Sequence, residues 1–198
     1  MQERPNYRGV ICDLDGTLVD SKLDFGEMRA VIGVPREVGI LEHIESLAEP
    51  RRSKAMEILH RFEFSGAKEA RPIPGVEAFL GRVHRSGLPL GILTRNSREV
   101  AEFTMERFRI RPEVLVARED ARPKPSPEGL IKILDRWQLG REEVVFVGDF
   151  IFDLETGKNA GVATALFAPD GDPDYAHLAT HIFRKYTALE QIIFGGIE

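Results

Sequence analysis

Four apolar residues in a row, Gly9-Val10-Ile11-Cys12, follow a polar start, and the same kind of short unbroken run recurs at Leu90-Gly91-Ile92-Leu93 and at Val144-Val145-Phe146-Val147. Runs this short, without the alternation of a half-exposed strand, predict strands covered on both faces. Between them the apolar spacing changes to a helical one. The pattern predicts a helix over Val76 to Arg85, ending at Gly87, a strand over Pro89 to Leu93, a helix over Ser97 to Phe108 and a strand over Val114 to Ala117. It continues with a helix over Ser126 to Trp137, a strand over Val144 to Val147, a helix over Leu154 to Ala160 and a strand over Ala163 to Phe167. His181 to Phe183 adds a short strand and Thr187 to Ile193 a last helix. Strands alternating with helices imply right-handed crossovers and an α/β fold with a mostly parallel sheet.

The stretch from Lys22 to Arg71 breaks this rhythm, because it carries no good strand pattern. Leu23, Met28, Val31 and Ile32 suggest one amphipathic helix, Val38, Leu41, Ile44 and Leu47 a second, and Met56, Leu59 and Phe62 a third, separated by Val34-Pro35 and Glu49-Pro50. Pro72 and Pro74-Gly75 then punctuate the chain before the alternation resumes. The expected organisation is one core built from 1–20 and 72–198, with a small all-helical insert at 21–71. A length of 198 residues suits that plan, and two full domains are not expected.

Composition narrows the function classes. Lys plus Arg number 27 against 32 Asp plus Glu, so no basic footprint argues for nucleic acid. No apolar stretch approaches the ~18 residues of a membrane span, and the polar stretch Met1 to Arg8 lacks the apolar centre of a signal peptide, which leaves the cytoplasm as the expected address. The single cysteine, Cys12, sits in an apolar run, where an inert buried thiol is the expectation.

In a parallel sheet the C-terminal strand ends share one edge, so the residues after each apolar run can be read together. Asp13 and Asp15 follow the first strand, with Gly16 supplying a turn; Thr94, Arg95 and Asn96 follow the second; Lys124 precedes the helix after the third; Asp149 and Asp153 follow the fourth. Acids, a hydroxyl and an ammonium at one edge suit phosphoryl transfer to a carboxylate, a reaction that needs the phosphoryl oxygens neutralised before an anion can approach. Magnesium is the matching cation, since it prefers hard oxygen ligands, and Asp13 and Asp149 could both reach it. Lys124 and Thr94, with Arg95 and Asn96 beside them, are the candidate phosphate-binding residues.

Each of these residues also has an ordinary reading. Asp-Leu-Asp-Gly can be a solvated turn, Lys124 a loop lysine, Thr94 a helix cap, and Asp149 and Asp153 favourable first-turn acids. Taken singly these suffice; together they leave the complementarity of all four strand tips unexplained. Gly157-Lys158 is a decoy, since a phosphate-binding P-loop needs Gly where Phe152 stands and Ser or Thr where Asn159 stands.

Four stretches in order resemble the motifs of the haloacid dehalogenase (HAD) superfamily, specifically the phosphoglycolate phosphatase-like members: Asp13-Leu14-Asp15-Gly16-Thr17-Leu18-Val19-Asp20-Ser21, Ile92-Leu93-Thr94-Arg95-Asn96-Ser97, Lys124-Pro125-Ser126-Pro127 and Gly148-Asp149-Phe150-Ile151-Phe152-Asp153. The resemblance implies a Rossmann-like doubly wound sheet with a short helical cap over a small phosphorylated metabolite. It implies that Asp13 attacks phosphorus and that Asp15 first protonates the leaving alcohol and then deprotonates water. It implies magnesium held by the Asp13 carboxylate, the Asp15 main-chain carbonyl and Asp149, with Asp153 supporting from behind, and a phosphoryl group held by Thr94 and Lys124. Phe150 departs from the pattern, which often has Ser or Thr there. An acid at position 15 favours a phosphatase or a phosphomutase of sugar phosphates over a dehalogenase, and Thr17 leans towards the phosphatase. A phospho-receiver module, which also clusters acids, Thr and Lys on a doubly wound sheet, is the rival from another class.

Overall fold

The computed structural model describes residues 6–195; the first five residues of the polar N-terminal stretch lie outside them. The chain divides into two compact units, one formed by the residues up to Asp20 and from Arg71 onward, the other by Ser21–Ala70.

The larger unit is built on a six-stranded sheet. Its strands are β1 (Gly9–Cys12), β4 (Leu90–Leu93), β5 (Val114–Val116), β6 (Val144–Gly148), β7 (Ala163–Phe167) and β8 (His181–Phe183). Their order is β5-β4-β1-β6-β7-β8, and every pairing is parallel. From β1 the chain crosses to β4 and β5 on one side, then returns to place β6, β7 and β8 on the other. β1 is therefore the point where the winding reverses, and the crevice beyond its C-terminal end is where a doubly wound sheet accepts ligands.

Burial follows from the apolar runs. All residues of β1, β4 and β6 are buried, as expected of strands covered by helices. The helices of this unit are α4 (Val76–Arg85), α5 (Arg98–Arg107), α6 (Glu128–Trp137), α7 (Ile151–Ala160) and α8 (Tyr186–Phe194). Leu130, Ile133 and Leu134 on α6 pack with Ile11, Leu93 and Phe146 from the three central strands, making a core directly beneath the strand ends. Cys12 is fully buried, and burial followed by the neighbouring Asp13 charge raises its thiol pKa well above the ordinary range, in keeping with an inert thiol.

Two short strands escaped the sequence pattern. β2 (Val19–Asp20) and β3 (Arg71–Pro72) pair antiparallel, Asp20 opposite Arg71, and so bring together the chain on either side of the insert. Arg71, expected in the helical insert, thus belongs to this ribbon. Two residues offer no period to detect, and a proline is compatible with a strand at an edge.

The smaller unit contains α1 (Phe25–Ile32), α2 (Ile40–Ser46) and α3 (Arg51–Glu69). Met28, Leu41, Ile44, Ala55 and Leu59 form its buried centre. The third helix is longer than the Met56 to Phe62 pattern suggested, extending a turn or more at each end: exposed polar residues, Arg51 to Lys54, carry its start, while its last turns bury Glu63 and Ala67. Among the described residues no helix is long and apolar enough to cross a membrane.

Candidate active site

The loop after β1 is shaped by local hydrogen bonds. Asp13 prolongs the β1–β6 ladder, its N–H donating to the Val147 carbonyl at 2.8 Å. The chain then turns sharply: the Gly16 N–H donates to Val19 O at 2.7 Å and the Leu18 N–H to Leu14 O at 2.9 Å, with Leu14 and Leu18 fully buried. The turn needs glycine at position 16 for two reasons. Its φ is +80°, and a Cβ there would lie 2.3 Å from an Asp149 carboxylate oxygen. The same closeness recurs at the end of β6, where a Cβ on Gly148 would lie 2.3 Å from the Asp153 side chain.

Lys124 is the hub of the charges. Its Nζ lies 2.8 Å from Asp13 Oδ1 and 2.6 Å from Asp153 Oδ1, and all three residues are buried. Burial alone would pull the ammonium pKa down, but Asp13 and Asp153 outweigh it and push the value up to about 12, so Lys124 stays charged. Asp153 sits in the first turn of α7, and its second oxygen accepts from the Phe150 N–H at 3.0 Å and the Asp149 N–H at 3.2 Å. Asp153 therefore caps the helix with one oxygen, as an ordinary first-turn acid would, and pairs with the lysine through the other.

Oxygens of Asp13, Asp149 and Asp153 all lie within 4.8 Å of one another. Three carboxylates against one ammonium leave surplus negative charge in a poorly solvated place. Burial, then repulsion from Asp153, raises the Asp149 pKa to about 7. Burial likewise raises that of Asp13 well above its ordinary value, with Lys124 opposing the shift and Asp153 and Asp149 adding to it. A compact set of hard oxygens whose charges are not balanced fits a divalent cation of the magnesium type.

The remaining candidates have specific partners. Thr94 is buried at the end of β4; its hydroxyl oxygen accepts from the Asn96 N–H at 3.2 Å, which leaves the hydroxyl proton to be donated elsewhere. Thr94 does not cap the following helix; Ser97 does, accepting from the Val100 N–H at 3.4 Å. Arg95 donates to the Lys124 main-chain carbonyl at 2.9 Å and stacks its guanidinium 4.6 Å from the centre of the Phe152 ring. The side-chain amide of Asn96 donates to Oδ2 of Asp15. The Asp15 carboxylate thus faces β4 and is not part of the three-acid cluster.

Sequence reading had valued Thr17 only as a weak marker, and the structure gives it a partner: its hydroxyl donates to Asp149 Oδ1 at 2.9 Å. Tyr186, buried at the start of α8, donates its phenol to the Thr17 carbonyl. Tyr175 donates to the Asp149 carbonyl at 3.2 Å. These partners are 26 to 169 positions apart, which is why no local pattern announces them.

The chain is similar over most of its length to known proteins. The haloacid dehalogenase-like hydrolase family model matches residues 22–167, which include Thr94, Lys124, Asp149 and Asp153 and begin just after the first acidic loop. A haloacid dehalogenase-like hydrolase domain-containing protein of Arabidopsis thaliana is 33% identical over 180 residues, covering 85% of this chain and 74% of its own. An N-acetylmuramic acid 6-phosphate phosphatase of Pseudomonas aeruginosa is 30% identical over 186 residues, covering 82% of each. Among solved structures, a haloacid dehalogenase-like family hydrolase of Streptococcus pneumoniae superposes with a TM-score of 0.72 at 20% identity, covering 93% of this chain and 97% of that one. A parallel sheet with acids and a buried lysine at its reversal point, matched over most of its length by a single family, identifies this chain as a member of the haloacid dehalogenase-like hydrolase family.

Proposed function

We propose that this protein is a magnesium-dependent phosphatase of small phosphomonoesters that works through an aspartyl phosphate on Asp13. The observation that carries the reading is Lys124 bridging Asp13 and Asp153 beside a cluster of three acids at the tip of β1. The similarity to a phosphatase of a sugar-acid phosphate supports the substrate class.

Asp13, Asp149 and the Asp15 main-chain carbonyl would hold the ion, with Asp153 behind them. Bound there, it neutralises the phosphoryl oxygens and so lets a carboxylate approach phosphorus. Lys124 and the Thr94 hydroxyl receive two of those oxygens. A carboxylate oxygen of Asp13 forms a bond to phosphorus as the bond from phosphorus to the ester oxygen breaks, and Asp15 gives its proton to the departing alkoxide. In the second step water attacks phosphorus, its proton passes to Asp15, and the bond to Asp13 breaks, releasing inorganic phosphate. Asp15 ends protonated and Asp13 ends ionised, as both began.

The lysine has two duties in this scheme. It neutralises the nucleophile without removing its lone pairs, and it is itself anchored by Asp153, so it keeps its place while the charge on Asp13 passes to phosphate. The test is phosphate release from a panel of phosphorylated metabolites with magnesium, alongside an Asp13→Asn variant. Release that depends on Asp13 supports the reading; wild-type release no greater than that of the variant across the panel rejects it, and an isomeric sugar phosphate in place of free phosphate would make it a mutase.

A further inference from the structure

The acid beside the nucleophile is itself held in place. Asn96, at the tip of β4, is 7% exposed, and its side-chain amide donates to Oδ2 of Asp15 across 81 positions of sequence. The contact runs through the amide nitrogen, which donates to a lone pair on Oδ2. The main chain at Asn96 is fixed on both sides. Its N–H donates to Thr94 Oγ1 at 3.2 Å, and its carbonyl accepts from the Arg118 N–H at 3.0 Å. The amide therefore projects from a stem held by hydrogen bonds on both sides.

We infer that Asn96 is a positioning residue for Asp15 and not, as its place beside Thr94 suggested, a ligand of the phosphoryl group. The inference rests on the reaction proposed above. The carbonyl oxygen of a protonated carboxyl is its stronger acceptor, so the Asn96 amide at Oδ2 favours the Asp15 proton on Oδ1 and in that way selects the oxygen that delivers it. The contact also fixes the plane of the carboxylate, and general acid catalysis is sensitive to that geometry. Thr94 and Lys124 remain for the phosphoryl oxygens. The division of labour along β4 is then sharp: residue 94 serves the group transferred, residue 96 the group that moves the proton.

The two half-reactions separate these roles. A p-nitrophenolate leaving group departs without a proton, whereas an alkoxide needs one; the attacking water of the second step must lose a proton whichever ester was used. With magnesium present, Asn96→Ala is expected to release p-nitrophenolate from p-nitrophenyl phosphate in the first turnover at close to the wild-type rate. Steady-state turnover of that ester should fall by about 10- to 100-fold, with phosphorylated protein accumulating by intact mass. First-turnover cleavage of β-glycerol phosphate should fall by a similar factor. Asn96→Asp, isosteric but without the donor, should repeat the pattern and serves if the alanine variant fails to fold. Parallel loss of both phases with p-nitrophenyl phosphate, or a raised KM alone, would overturn the inference and make Asn96 a phosphoryl ligand; wild-type kinetics in both variants would overturn it as well. A wild-type protein no more active than Asp13→Asn on either ester would remove the phosphatase reading, and this one with it, before any variant at position 96 is compared.

Discussion

Lys124 and Asp153 form the closest buried ion pair of the site, 2.6 Å between Nζ and Oδ1, on residues that are 4% and 1% exposed. The pair joins the segment before α6 to the first turn of α7, and the second partner of the lysine is Asp13, the proposed nucleophile. Removing the ammonium leaves neighbouring carboxylates without a counter-charge. Lys124→Met, which keeps the chain length of the stem, is expected to abolish phosphate release and to lower unfolding free energy by about 3 kcal/mol in magnesium-free buffer, read from urea titration. A loss below about 1 kcal/mol, the worth of an exposed pair, would contradict the picture of a buried hub.

Gly16 sets how closely the first acidic loop can approach Asp149. Gly16→Ala must adopt a φ of +80° and place a Cβ where an Asp149 oxygen now lies. The expected cost is about 1 to 2 kcal/mol in stability, accompanied by a weaker magnesium affinity because Asp149 is displaced. Thermal denaturation and calorimetric titration with magnesium measure the two effects separately. Unaltered magnesium affinity would mean that Asp149 has room to move without consequence.

Thr17 links two of the long-range tethers, donating to Asp149 and accepting from Tyr186. Thr17→Val, similar in volume, removes only the first, and the expected loss is about 1 kcal/mol with a lower kcat. Tyr186→Phe removes the second while keeping the ring against Phe79, Phe167 and Phe183. It should cost a similar amount because the Thr17 carbonyl loses its donor. Chemical denaturation of both variants and of their combination would show whether the two contacts act as one chain, since coupled partners give a non-additive double mutant.

The acid cluster makes stability depend on pH and on metal in a linked way. Asp149 carries a pKa raised to about 7 in the folded protein, against about 3.9 for an unfolded aspartate. The folded state therefore binds more protons between those values, and the stabilising contribution of Asp149, fully present at the acid end, is lost as pH rises towards 7. Magnesium should reverse the trend by taking the place of the proton, so its stabilising effect should be greater at pH 8 than at pH 5. Tm measured with and without chelator for wild type and Asp149→Asn tests this. The difference between the two proteins without metal should shift in favour of the variant as pH rises; a shift the other way would refute the assignment.

The parts legible in the sequence were those written in neighbouring residues. Unbroken apolar runs mark β1, β4 and β6 because both faces of these strands are covered, and the residues that follow each run reveal what lies at the sheet edge. The ribbon of Val19–Asp20 with Arg71–Pro72 was not legible, since two residues have no period and their partners are 51 and 53 positions apart. The destination of a side chain was equally hidden. Asn96 reads from sequence as a neighbour of Thr94, and only the pairing of β4 against β1 brings it to Asp15. Thr17 reads from sequence only as a marker of the phosphatase branch until β6 delivers Asp149 beside it.

The bond from Tyr186 to the Thr17 carbonyl spans 169 positions, and this has a bearing on the order of synthesis. A nascent chain emerges with Asp13 and Asp15 first, yet the loop that carries them gains this tether only after α8 has been made. A chain interrupted between Asp153 and Tyr186 would hold every acid, the lysine and the hydroxyls of the cluster while lacking the latch on the loop. Completion of the sheet at β8 is then not sufficient to tether the acidic loop; α8 must follow.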